Sequence, residues 1–292
     1  MPPTKGPILA HWQMIREQWE TLSVLSKGES KEIRVIDDDF VMVRMIPSLY
    51  SFTHNRSAMI TGTDEIRLQT FEKLARVLRL GGIPVSAIAF GSDFYVSRRP
   101  KRRGSDYVPP IEVIVKARHV GTPKHTLYEI SEYKTLSGDC FRPDTAHDPY
   151  VRFDYTNPLQ DKDGHRLRDE CIPSQLARHF IDVDRAEHTA MSAFCTLYGY
   201  LSSCGIRLDD ICFKIDHTGR HIFGEISPDC MRAVWMGDAS DFFAAAGDDT
   251  SKDTFRAGSS EETVLDRYRC FLDALDTKVR TPISPYDYSD AA

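Results

Sequence analysis

Several familiar signals are missing from this chain, and each absence removes a class of function. The seven cysteines among its 292 residues form no CxxC pair and no metal-ligand spacing. Neither a zinc module nor a disulfide framework is therefore indicated, and an odd, scattered set fits reduced thiols in a cytoplasmic protein. No GxxxxGK[ST] occurs, so there is no Walker-type phosphate loop. No apolar run approaches the ~20 residues that cross a bilayer, and MPPTKGPILAHWQ lacks a signal-peptide core. Nor is there a surplus of positive charge. The 37 Lys and Arg stand against 43 Asp and Glu, a net charge of −6, which argues against a general nucleic-acid binder. The one basic run, Arg98-Arg99-Pro100-Lys101-Arg102-Arg103, reads as an exposed loop between strands. No internal repeat is visible.

What remains is a soluble globular chain, 41% apolar and 27% charged, long enough for one large domain or two modest ones. Helical spacing predicts a lead-in helix over 8–25. A second helix is expected after Thr63, with Ile66, Phe71, Leu74, Val77 and Leu78 as its apolar stripe and Gly81-Gly82 as its stop. The longest helical pattern runs over 174–204, and a last helix spans about 260–275. Strands are expected around a glycine turn over 25–36, then over 39–45, 86–90, 93–99, 110–121 and 150–155. Residues 46–62 read as irregular, and 281–292 as a loose tail. Asp161-Lys162-Asp163-Gly164 begins like a calcium loop but lacks the remaining pattern and the closing glutamate.

The chemistry concentrates in one stretch. Leu208–Asp216 and His221–Ile226 read as a hairpin about Asp216-His217-Thr218-Gly219-Arg220, and Ser227-Pro228-Asp229 breaks the second strand. The hairpin is expected to bring Lys214, Asp216 and Glu225 together, with Asp229, Arg232 and Trp235 just beyond. Carboxylates beside a lysine on rigid strands suit a metal-nucleotide: hard oxygens for Mg²⁺, an ammonium for phosphate. A solvated hairpin carrying ordinary surface charge is the other reading. Further upstream, Lys27-Gly28-Glu29-Ser30-Lys31 is a glycine turn with lysines on both sides, which either lies over phosphates or is a plain charged hairpin.

Gly224-Glu225-Ile226-Ser227-Pro228-Asp229-Cys230-Met231-Arg232-Ala233-Val234-Trp235 resembles the signature of the SAICAR synthetases, acid-Glu-x-Ser/Thr-Pro-Asp-x-Ser-Arg-x-Trp. The resemblance extends over roughly 24–275. Gly28-Glu29-Ser30-Lys31 is similar to the family's opening Gly-Lys-x-Lys. Pro110 to Thr122 follows its Pro-x-Glu-x-x-x-Arg-x-x-x-x-Gly-Ser, and Lys252–Arg256 its Asp-Lys-x-x-Phe-Arg. The resemblance implies an α+β fold: a small antiparallel N-terminal domain (1–90) and a larger mixed domain (91–280), with ATP held between them. It implies an ATP-dependent ligase that forms an amide between a nucleotide-like carboxylate and an amino acid amine through an acyl-phosphate, in purine or nucleoside biosynthesis. ATP and Mg²⁺ are the implied cofactors. Lys27, Gly28, Lys31, Glu112 and Lys214 fall on the nucleotide side, and Asp216 and Glu225 on the metal. Lys116, Arg118, Thr122, Asp169, Asp229 and Arg232 fall on the substrate side.

Departures from the pattern mark divergence. Gly224 stands where an aspartate is expected, Cys212 where an aspartate is common, and Asp216 for a glutamate. Glu29 replaces the first lysine, Lys116 the arginine, Thr122 the serine, and Met231 the hydroxyl residue before Arg232. Lysine keeps the charge but loses the two-pronged fork. Nucleotide binding without turnover, and small-molecule phosphorylation, stand as alternatives. The apolar run Phe242–Ala246 suits either buried core or an interface between copies.

Overall fold

The structure, a computed structural model, describes residues 5–51, 56–102, 104, 106–121, 138, 144–157, 159–164, 167, 169–237 and 247–276. It is an α+β fold built on antiparallel sheets, as the sequence leads one to expect. The first sheet runs β1-β2-β3-β7-β6, from Val24–Lys27, Lys31–Val35, Phe40–Met45, Tyr95–Arg98 and Ala87–Phe90. Gly28 N–H donates to the Lys31 carbonyl at 2.9 Å, closing the turn between β1 and β2. The interval read as irregular holds a short hairpin of its own, β4 (Ser48–Ser51) with β5 (Arg56–Met59).

The main sheet runs β10-β9-β8-β11-β13-β14, with β12 paired to β11. Its strands are β8 (Ile111–Arg118), β9 (Ala146–Tyr155), β10 (Glu170–Ile172), β11 (Ile206–Ile215), β12 (Ile222–Phe223), β13 (Met231–Trp235) and β14 (Asp248–Asp249). Alternation in β8 puts Ile111, Val113 and Val115 into the core. The expected hairpin strand His221–Ile226 is only two residues long, because Gly224 turns to φ +79°.

Helix α1 spans Lys5–Glu17, shorter than the lead-in expected; a single 3₁₀ turn at Trp19–Thr21 follows, and Trp19 packs with Met42, Phe94 and Val96. Helix α2 (Thr63–Leu80) buries Phe71, Leu74, Ala75 and Leu78. The long pattern over 174–204 is two helices, α3 (Ser174–Ala177) and α4 (Val183–Ser203). The Asp182 carboxylate accepts the Arg185 N–H and so starts α4 afresh. Helices α5 (Asp253–Arg256) and α6 (Glu261–Asp276) complete the fold. The largest core cluster takes side chains from both sheets, α2, α4 and α6. Among the described residues no helix is long and apolar enough to cross a membrane. Residues 242–246 and 281–292 lie outside the described residues.

Candidate functional site

Glu225 is the node between the two sheets. It follows the end of β12 and is buried. Its Oε1 accepts from Arg67 Nε at 2.8 Å and from Ser227 Oγ at 2.5 Å; its Oε2 accepts from Arg67 Nη2 at 2.6 Å and Lys31 Nζ at 3.0 Å. Arg67 comes from α2, Lys31 from β2, and Arg67 also donates to the Ile46 carbonyl at 3.1 Å. Burial would raise the Glu225 pKa, but the charges of Arg67 and Lys31 outweigh it and hold the carboxyl well below the usual range. Lys31 is raised by the same pairing, against the effect of its burial. Lys27 is exposed and pairs instead with Glu32 at 3.3 Å.

Lys214 sits near the end of β11, paired across the hairpin with Phe223. Its Nζ donates to Thr156 Oγ1 at 2.5 Å and lies 3.3 Å from Glu112 Oε1, the neighbouring acid on β8. About a third of the Lys214 side chain is exposed (32%). Burial and then Glu112 push the Cys212 thiol well above its usual pKa.

Asp216 lies at the other end of the hairpin. Its Oδ1 accepts the Arg220 and His221 N–H groups, each at 2.9 Å, and its Oδ2 accepts Thr218 Oγ1 at 2.7 Å. It closes the turn. All of its partners belong to this turn, and none is shared with Lys31 or Glu225. The structure thus joins Lys31 to Glu225 and leaves Asp216 apart from both. The carboxylates do not fit a shared Mg²⁺: Glu225 is committed to two cations and a hydroxyl, Asp216 to the turn, and residue 224 has no side chain. Among the described residues no group of three His, Cys, Asp or Glu side chains could hold a metal ion.

Three of the residues that the resemblance puts on the substrate side, Lys116, Arg118 and Arg232, meet acids across the main sheet. Asp210 on β11 faces Lys116 on β8 and Arg232 on β13, and its Oδ2 accepts from Lys116 Nζ at 2.9 Å and Arg232 Nη1 at 2.7 Å. Arg232 Nε also donates to Asp253 Oδ2 at 2.5 Å, and Arg256 pairs with the other Asp253 oxygen. Arg118 and Arg207 both meet Asp209 Oδ1, at 3.2 and 2.8 Å, and both approach Asp144. The β8 exit passes over the Arg232 guanidinium at Gly121, where φ is +103° and a Cβ would stand 2.8 Å from Arg232 Cζ. A cleft of about 200 Å³ opens here, walled by Val120, Asp209, Arg232, Asp249, Ser251 and Asp253 among others. Asp229 pairs with Lys252 at 3.2 Å. Asp169 accepts the Asn157 N–H at 3.0 Å, holding a loop. Thr122 lies outside the described residues.

Sequence reasoning missed Arg67, Asp209, Asp210 and Asp253. Arg67 had a signal: it is four residues before Phe71 and seven before Leu74, on the buried face of α2. A charge at that helical position needs a partner inside. Asp210 had none, because its partners come from the neighbouring strands β8 and β13, whereas Asp209 and Asp253 also pair within their own elements, with Arg207 and Arg256.

Comparisons place these features against known proteins. No protein-family model matches the chain. It is 25% identical over 288 residues to "Bifunctional cordycepin biosynthesis cluster protein 3" of Cordyceps militaris, covering 85% of this chain and 32% of that protein. The chain therefore spans about a third of the length of the curated relative it matches. Among solved structures it is similar to a Type-2 SAICAR synthetase in complex with ADP, with a TM-score of 0.66, 20% identity, and coverage of 88% of this chain and 99% of that one. It is equally similar to a Type-1 SAICAR synthetase from Pyrococcus horikoshii OT3, with a TM-score of 0.66, 18% identity, and coverage of 86% and 99%.

Proposed function

From a chain with the fold of the SAICAR synthetases, we propose an ATP-dependent ligase that joins a carboxylate to an amine through an acyl-phosphate, in nucleoside-related metabolism. One observation carries the reading. Lys31, from the glycine turn, and Glu225, from the strand-end signature, are 194 residues apart in sequence and bonded at 3.0 Å. The resemblance assigns both to one nucleotide site.

The chemistry follows from the reactants. A carboxylate resists attack because it has no leaving group. Transfer of a phosphoryl group from ATP onto its oxygen supplies one, releasing ADP. A neutral amine then attacks the acyl carbon, and phosphate departs. Charge crowds the phosphates during transfer, so cations at their edge lower the barrier. Lys31 and Lys214 are the cations for that task, since both keep part of the side chain exposed. Lys27 and Gly28 shape the turn that carries Lys31, and Glu112 orients Lys214. The acceptor is assigned to the cleft walled by Arg232, whose guanidinium shares Asp210 with Lys116 and near which Arg118 meets Asp209; Asp229 stands apart with Lys252 and Tyr268. Asp169 holds the Asn157 loop beside the Ile111 end of β8, near Glu112 and Lys214 rather than at the cleft. Asp216 acts by holding the hairpin turn, and no step is routed through a metal.

The test is ADP release from the purified chain with Mg-ATP, a panel of heterocyclic carboxylates and a panel of amino acids. Release that needs both acid and amine supports the ligase. Nucleotide binding without turnover is the second reading, favoured by the commitment of Asp216 and Glu225 to internal partners. It predicts ATP binding by calorimetry and no ADP.

A further inference from the structure

The cations that the resemblance assigns to a substrate anion already have one. Lys116 and Arg232 converge on a single oxygen of Asp210, at 2.9 and 2.7 Å, in the middle of the main sheet. Asp210 is buried, and its strand is paired on both sides, with β8 and β13. It cannot swing aside as an exposed side chain would. Arg232 is shared further with Asp253, which also takes Arg256. Arg118 and Arg207 are shared between Asp209 and Asp144.

Charge therefore balances around the cleft among the described residues. Lys116, Arg118, Arg207, Arg232 and Arg256 stand against Asp144, Asp209, Asp210, Asp249 and Asp253. Among the described residues, a phosphate dianion entering here would meet no uncompensated cation, and would lie beside several carboxylates at low effective dielectric. One wall has the opposite need. Asp249 lines the cleft, and its Oδ1 accepts from the Ser251 N–H and hydroxyl at 2.8 and 2.6 Å. Its Oδ2 makes no hydrogen bond or ion pair among the described residues. Asp249 is half-buried, so a ligand hydroxyl entering the cleft can reach this oxygen and donate to it.

We propose that Asp210 is a built-in counter-anion, so that the acceptor end seated in this cleft is neutral and hydroxyl-bearing, as in the sugar of a nucleoside, and carries no phosphate there. The inference rests on the ligase reading, because that reading makes the cleft the acceptor site. Asp210 is then a specificity-determining residue. It shields Lys116 and Arg232 from phosphate, and Asp249 receives a sugar hydroxyl.

The experiment compares a matched pair of probes, carboxylated aminoimidazole ribonucleoside and its 5′-phosphate, by calorimetry on wild type, Asp210→Asn and Asp253→Asn. Wild type is expected to bind the nucleoside at least as tightly as the nucleotide. Asp210→Asn frees two cations and is expected to shift the preference toward the nucleotide by about tenfold or more. Asp253→Asn releases Arg232 Nε and Arg256, leaves Lys116 and Arg232 Nη1 tied to Asp210, and is expected to shift it less. This second variant covers the case in which Asp210→Asn does not fold. Wild type preferring the nucleotide by about tenfold overturns the inference, as does an unchanged ratio in the folded variants. ADP release with either probe keeps the ligase reading standing whichever way the preference falls.

Discussion

Arg67 and Glu225, 158 residues apart, meet as a two-pronged ion pair, with Nε to Oε1 at 2.8 Å and Nη2 to Oε2 at 2.6 Å. The arginine is fully buried, and the pair joins α2 to the end of β12. Removing one partner of such a pair leaves a charge uncompensated, which costs roughly 3–5 kcal/mol. Arg67→Ala should therefore lose stability on that scale in urea unfolding. Arg67→Lys keeps the charge but cannot span both oxygens, so it should recover only part of the loss. A fully stable Arg67→Ala would show that the pair contributes nothing to holding the two elements together.

The same carboxylate sets an acid limit. Its folded pKa lies well below the ordinary value because Arg67 and Lys31 outweigh burial. The unfolded chain titrates near the usual ~4.3. Ionised Glu225 thus stabilises the fold fully above that value, and the contribution is lost as pH falls through the depressed folded pKa. Asp210 and Asp229 are lowered too, against their burial, by Arg232 and Lys252 respectively. Stability should hold from about pH 7 down to about pH 5 and then drop steeply, and Glu225→Gln should flatten the drop. Thermal midpoints at a series of pH values would check this, and parallel curves for the two proteins would remove Glu225 from the account.

Local pattern carried the outline of the fold. Helix α2, with Phe71, Leu74 and Leu78 on one face, and the β11 strand were legible because period and stop signals are properties of a short stretch. The break of the long helix at Asp182 was not. Apolar periodicity runs on through Phe180 and Val183, and only the capping geometry shows the restart. The site was half legible for the same reason. Motif spacing selects Lys31, Lys214, Glu225 and Arg232, but which residues meet depends on pairing between distant strands. Asp216 looks like a ligand in sequence and turns out to accept three donors from its own turn. Asp210 falls within the expected strand Leu208–Asp216 with no role assigned, and register with β8 and β13 puts it between two cations.

Thiol chemistry should follow burial. Cys171 is exposed, whereas burial pushes the Cys230 pKa up to about 12 and raises Cys212 well above its normal value. The thiolate is the reactive form. Maleimide labelling of native protein at pH 7.5, read by peptide mass spectrometry, should modify Cys171 and spare Cys212 and Cys230 until the chain is unfolded. Rapid native labelling of Cys230 would mean that the segment around Ser227 opens readily.

Lys214 separates turnover from stability. Its ammonium is partly exposed and rests on Thr156 and Glu112. Exposed pairs contribute only about 0–1 kcal/mol. Lys214→Ala should leave the thermal midpoint within a few degrees of wild type, while ADP release falls by about a hundredfold if the ammonium steadies the transferring phosphate. Lys214→Arg should restore part of the rate. Undiminished ADP release in Lys214→Ala would take Lys214 out of the reaction.

Gly224 offers the converse test, a gain rather than a loss. Its φ of +79° disfavours side chains, yet a Cβ built there meets nothing within 4 Å. The obstacle to an acid is backbone strain, not space. A residue with a side chain in this region costs about 1–2 kcal/mol, and aspartate tolerates it better than alanine. Gly224→Asp should therefore fold with a modest loss of stability, less than that of Gly224→Ala. It also puts a new carboxylate next to Glu225, which like Asp216 is already committed to internal partners. ATP affinity of Gly224→Asp should then gain a dependence on Mg²⁺ beyond that of wild type, measured by calorimetry with and without the ion. If aspartate and alanine behave alike in both stability and Mg²⁺ dependence, the position acts through its backbone alone, and the missing acid is not what distinguishes the proposed nucleotide site.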